Sequence, residues 1–125
     1  MKVVLVTGSR RIDPKSTKAD KVRDILHNCY FDILIHGAAS GVDSIAARWA
    51  TKEGLAVIPM PAKWRERGRA AGPERNVAML DMLGILQDYG HDGLVMGFPD
   101  DESIGTKHCI KVAHERGFPV EVYSL

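Results

Sequence analysis

The chain has 125 residues, of which 45% are hydrophobic and 26% charged, with a formal net charge of +1. That length buries a core in one domain, residues 1–125, without disulfide or metal staples. A near-neutral chain is not held on nucleic acid by its overall field, which leaves only a local basic patch for that role.

Charged residues interrupt every apolar run after Met1-Lys2, so a signal peptide and the roughly 18 apolar residues of a membrane span are both missing; the expected compartment is the cytoplasm. Cys29 and Cys109 lie far apart on apolar helical faces. Two buried thiols are expected there, rather than a disulfide or metal ligands.

In chain order, Val3-Val4-Leu5-Val6-Thr7 is a β-branched run suited to a strand covered on both faces of a parallel sheet. Gly8-Ser9-Arg10 ends it. Pro14 marks loop, Thr17 and Asp20 have capping-box spacing, and Val22, Ile25, Leu26 and Cys29 repeat at helical spacing, which predicts a helix over 17–29. Residues 32–36 form a second strand. The stretch His36-Gly37-Ala38-Ala39-Ser40-Gly41-Val42-Asp43 then turns into a helix carrying Ile45, Ala46, Trp49 and Ala50, closed by Gly54. A third strand covers 55–59, and a long basic loop follows with Lys63, Trp64, Arg65, Arg67 and Arg69. Pro73 sits in the first turn of the next helix. That helix is apolar almost all round, from Val77 through Leu86, which points to burial on more than one side and to a homodimer through helix 73–88. Residues 93–97 form strand four, 98–102 a loop, Gly105-Thr106 opens the last helix, Gly117 closes it, and 119–123 are strand five.

Strands alternating with helices define the fold class: α/β, a Rossmann-like three-layer sandwich with a mainly parallel five-stranded sheet and right-handed crossovers. In such a sheet the ligand crevice lies beyond the carboxyl ends of the strands, at the switch in strand order. Four unusual segments follow strands: 8–10, 37–43, 63–75 and 98–106. The topology brings all four to one edge.

The candidate ligand-binding residues are therefore Gly8, Ser9, Arg10, Gly37, Ala38, Gly41, Asp43, Trp64, Arg75, Asn76, Gly105 and Thr106. Glycines beside small residues let a ligand approach the backbone, although Gly8 and Gly37 also suit plain turns. Arg10 and Arg75 suit phosphate, and Gly105-Thr106, with Lys107 close by, is a phosphate seat at a helix N-terminus. Asp43 lies three residues after Ser40, so a capping box competes with a ribose or catalytic contact. Trp64 either stacks on a base or pins the long loop. Asp100-Asp101-Glu102 is a solvated loop tip or a seat for magnesium, the one cofactor that comes into question. The five histidines lack zinc spacing, and no Gly-x-x-x-x-Gly-Lys-Ser/Thr loop exists.

Taken together, Gly8-Ser9-Arg10, the 36–43 stretch, Pro61-Ala62-Lys63-Trp64, Ala71-Gly72-Pro73-Glu74-Arg75-Asn76, Phe98-Pro99 and Gly105-Thr106 resemble the YspA-like family of the SLOG superfamily. That superfamily includes the Lonely Guy phosphoribohydrolases and the DNA-processing protein of natural transformation. The resemblance runs from Gly8 to about Val122 and implies a Rossmann-like fold that binds nucleotides or nucleotide-derived molecules. Lonely Guy enzymes carry Pro-Gly-Gly-x-Gly-Thr followed by a catalytic glutamate. Here Pro99 and Gly105-Thr106 are separated by an acidic insert, and no carboxylate follows Thr106. Arg75 matches the Lonely Guy arginine, with Asp43 as the available substitute for the missing acid.

Three functions follow in order. The first is a module binding a nucleotide or nucleotide-derived signal. The second is an N-glycosidase for nucleoside 5′-monophosphates, with Arg75 and Asp43 as catalytic residues, because ribosyl cleavage needs a stabilising carboxylate. The third is single-stranded nucleic-acid binding through the basic loop and Trp64.

Overall fold

The computed structural model describes residues 1–125. Five strands, β1 (Lys2–Gly8), β2 (Ile33–His36), β3 (Ala56–Pro59), β4 (Asp92–Phe98) and β5 (Val120–Val122), form one sheet in the order β3-β2-β1-β4-β5. Every pairing is parallel, with Val3 beside Ile33 and Gly8 beside Phe98 at the registers of the central strand. The sheet is thus wholly rather than mainly parallel. Its order reverses between β1 and β4, which is the switch point of this topology.

The apolar run of β1 is split between two cores by strand alternation. Val4 and Val6 pack with α1 (Thr17–His27) and α2 (Val42–Lys52), whose Val22, Leu26, Ile45 and Ala46 complete that layer. Val3 and Leu5 face the other way, onto Met79, Leu80 and Leu83 of α4 (Ala71–Asp88) and Cys109 and Ala113 of α5 (Ile104–Glu115). Both faces of a central parallel strand are therefore covered, and each of these four β1 side chains is fully buried.

Several boundaries differ from the sequence reading. Ser16, not Thr17, caps α1: its hydroxyl accepts from the Ala19 N–H at 3.2 Å, and no Thr17–Asp20 capping box is formed. The helix ends at His27, so Cys29 lies beyond it and is half-buried rather than on a buried helical face. The basic stretch is not loop. Trp64–Arg67 form a short helix, α3, and Gly68–Ala70 a 3₁₀ turn that runs directly into α4. The local reason is visible in Glu66 and Arg67, whose backbone N–H groups both return to the Lys63 carbonyl. The apolar surface of α4 is largely taken up within the chain: Met82 and Leu86 also pack against the second core, and Ile85 is the side chain left outside.

Candidate functional site

Beyond the carboxyl ends of β1 and β4, at the reversal of strand order, lies a polar cavity of about 260 Å³. Thr7 and Gly8 form its floor from β1, Arg10 and Arg11 come from the following turn, and Ala39 and Asp43 from the segment leading into α2. Arg75 and Asn76 enter from the first turns of α4, and 102–106 close it from the start of α5. The expected convergence of four post-strand segments on one rim is what this arrangement contains.

Of the candidate residues, Gly8, Arg10, Asp43, Arg75, Asn76, Gly105 and Thr106 line the cavity. Ser9, Gly37, Ala38, Gly41 and Trp64 do not. They build its walls from behind. Gly41 has φ +74° and approaches the Ser9–Arg10 backbone so closely that any side chain there would collide. Gly37 lies under the Arg75 guanidinium, where a Cβ would occupy the arginine's place. Ala38 adopts φ +56° and donates its N–H to His36 Nδ1 at 2.9 Å. Trp64, 48% exposed, is a platform for Arg10, whose guanidinium carbon lies 5.3 Å from the ring centroid, and it also packs at Gly72.

Asp43 is the buried acid of the site, 5% exposed. Its Oδ2 accepts from the Gly37 N–H at 3.0 Å and the Ala39 N–H at 3.2 Å, while Ser40 Oγ donates to the Arg10 carbonyl. The Ser40–Asp43 capping box is therefore absent, because the carboxylate is spent on holding the 37–39 turn. Burial pushes its pKa up to about 6, against the opposing pull of those two N–H groups and of Arg75 and Arg10.

Arg75 donates to the Gly37 carbonyl and, at 3.1 Å, to Asn76 Oδ1. Asn76 is 2% exposed and passes the connection on, donating to the Gly105 carbonyl at 3.0 Å and lying 3.2 Å from His108 Nδ1. Burial lowers the Arg75 pKa, and Asp43 counteracts it. Five ion pairs occur in the molecule, and neither Arg10 nor Arg75 belongs to one. Two guanidinium groups thus reach one cavity without a carboxylate bound to either.

The α5 start offers donors that complement an anion. Ser103 occupies the N-cap position without a side-chain cap bond, and the N–H groups of Gly105 and Thr106 have no acceptor. Nothing lies within 4 Å of where a Gly105 Cβ would stand. A glycine inside a helix costs stability, and no packing contact requires this one. Lys107 turns away, donating to the Asp101 carbonyl at 2.9 Å.

Thr7, Arg11, Ala39, Asp100, Glu102, Ser103 and Ile104 also line the cavity and were not among the residues expected from sequence to bind ligand. Of the acidic run, Asp101 and Glu102 are exposed as a solvated tip would be, whereas Asp100 is tied into the turn. Ser9 Oγ donates to Asp100 Oδ2, and Asp100 Oδ1 accepts from Ser103 Oγ at 2.7 Å and from the Glu102 N–H at 2.8 Å. These bonds, Ser9 first, hold the Asp100 carboxyl down at about 2. Glu102 pairs with Arg11, and no three His, Cys, Asp or Glu side chains are placed together so as to hold a metal ion. The spacing Asp100-x-x-Ser103 was a legible signal for this turn, since Asp and Ser favour local side-chain-to-backbone bonds.

A doubly wound parallel sheet with its polar crevice at the strand-order switch defines the class as Rossmann-like. Residues 2–66 match the family model described as YAcAr, the YspA, cpYpsA-related SLOG family. The chain is also 38% identical over 126 residues to the Gene 61 protein of Mycobacterium phage D29, covering 96% of this chain and 94% of that protein. It belongs to the YspA, cpYpsA-related SLOG family. In three dimensions it is similar to DNA processing protein A (DprA) from Streptococcus pneumoniae, with a TM-score of 0.51 and 19% identity over 96% of this chain. The chain spans 58% of the length of that DprA chain, and at this identity the likeness concerns the fold alone. Family membership points to nucleotide-related ligands. No helix is long and apolar enough to cross a membrane.

Proposed function

We propose that the crevice between β1 and β4 binds a nucleotide or nucleotide-derived ligand, with its phosphate at the first turn of α5. The observation that carries this reading is the meeting of Arg10 and Arg75, both outside any ion pair, with the acceptor-free N–H groups of Gly105 and Thr106 around one polar cavity. A phosphate there gains two charge-assisted contacts and the positive end of a helix. Asp43 lies in the same cavity, where a ribose hydroxyl is its natural donor. Thermal unfolding with AMP, ADP-ribose and related nucleotides tests the reading. Ligand at 100 times its dissociation constant adds about 2.7 kcal/mol to stability, and Arg75→Ala removes that shift. A nucleotide panel that leaves the melting temperature unmoved rejects it.

A second reading rests on Asp43 alone. A carboxyl raised to about 6 beside an unpaired arginine suits proton transfer near neutral pH. In a nucleoside 5′-monophosphate it would stabilise the ribosyl cation as water replaces the base, releasing free base and ribose 5-phosphate. Chromatography for free base decides this, with Asp43→Asn as control; equal release by both chains discards it.

A further inference from the structure

We propose that a second cavity, at the carboxyl end of β3, receives the base of the ligand whose phosphate lies in the β1/β4 crevice, and that Arg75 is the residue shared between the two compartments. This rests on the reading of the crevice as a nucleotide site. The second cavity measures about 330 Å³ and is lined by Met60, Pro61, Ala71 and Ala78, with Lys63 and Glu74 as its other charged groups besides Arg75. Volumes of this order are those of small-ligand pockets.

Three observations connect it to the crevice. Arg75 lines both cavities. Its course is fixed from outside the pocket, because Gly37 has no Cβ and its carbonyl accepts from the guanidinium. Met60, whose N–H donates to the His36 carbonyl at 2.8 Å, continues the edge of the sheet on which the crevice is built. The two compartments therefore meet at Arg75 on one rim.

Their chemistries divide as a nucleotide does. The crevice offers guanidinium groups and helix N–H groups. The second cavity offers a thioether, a proline ring and two methyl groups to a flat ring, and guanidinium planes stack on such rings. At its rim Glu74 can only accept: Arg67 grips its carboxylate with contacts of 2.7, 3.1 and 3.2 Å and lowers its pKa, so it remains ionised and suits an amino or ring N–H of a base. Lys63 can only donate, which suits a ring nitrogen or carbonyl. Trp64, expected either to stack on a base or to pin the 63–75 stretch, lines neither cavity and packs with Arg10 and at Gly72.

Calorimetric titration of the full chain with ribose 5-phosphate and with adenosine 5′-monophosphate tests the assignment. The expected result is about tenfold or greater preference for the nucleotide, equivalent to about 1.4 kcal/mol. Ala78→Met, which fills the pocket from a half-exposed helical position, should cut that preference to about twofold or less. The exposed change Lys63→Glu should reduce it without touching the core. Equal affinity of the parent chain for both compounds, or a preference that survives both substitutions, overturns the base site and leaves the phosphate site standing. Failure of both compounds to bind overturns the crevice reading itself, and the base site with it.

Discussion

Replacing Asp43 by asparagine should stabilise the protein at neutral pH, and the size of the gain can be worked from the site. The carboxyl is 5% exposed, and burial raises its pKa from 3.8 to about 6 despite the N–H donors of Gly37 and Ala39. An acid with a folded pKa above its unfolded value holds more protons when folded between the two. Its contribution is therefore most favourable below about pH 4 and is lost as pH rises through about 6. At about 1.4 kcal/mol per pH unit, the ionised form costs about 3 kcal/mol by pH 8. An asparagine Oδ1 turned toward the same two N–H groups keeps both bonds and cannot ionise. Urea unfolding of both chains at pH 4, 6 and 8 isolates this site, because all other titrations are common to both. The stability difference should move by about 2.5 kcal/mol in favour of Asp43→Asn between pH 4 and 8. A difference that stays flat with pH, or moves the other way, refutes burial as the dominant influence on this carboxyl.

Gly105→Ala separates stability from binding: with open space at the Cβ position it should add about 0.5–1 kcal/mol in a melt while weakening the nucleotide-induced shift. A destabilised variant, or one with the full ligand shift, contradicts the assignment of that helix start. Asp100→Asn should show the opposite pH behaviour to the Asp43 change. The Asp100 carboxyl is held at about 2, so its contribution is present above about pH 4 and lost as pH falls through about 2; the variant should be less stable than the parent at pH 6, with most of that gap closed at pH 2 by urea unfolding. Cys109 is fully buried, and burial pushes its thiol up to about 12. A thiol reagent at pH 8 should therefore modify the half-buried Cys29 in the native chain and reach Cys109 only in denaturant; native labelling of Cys109 would show that α5 opens readily.

The periodicities of the chain determine its elements and their order, because each strand and helix carries its own pattern and each has to bury an apolar face. The unbroken β-branched run of β1 specifies a central, doubly covered strand, and the helical stripes behind it leave a parallel α/β sheet as the arrangement that covers both sides. From that topology the rim where Gly8, Arg10, Asp43, Arg75 and Gly105 meet also follows. The division of labour among the glycines does not. Whether a glycine faces open space, as Gly105 does, or makes room for a neighbouring side chain, as Gly37 does for Arg75, depends on what stands opposite it, in the second case across 38 residues of chain. The same applies to Asp43, whose partners at 37 and 39 are close in sequence yet are reached only because the turn bends back over the α2 start. Trp64 meets Arg10 and Asp100 meets Ser9, partners remote in sequence that no local pattern names. Local pattern reports what a segment prefers when alone; the partner of a polar side chain is chosen by packing, and only the folded chain brings the competing partners within reach.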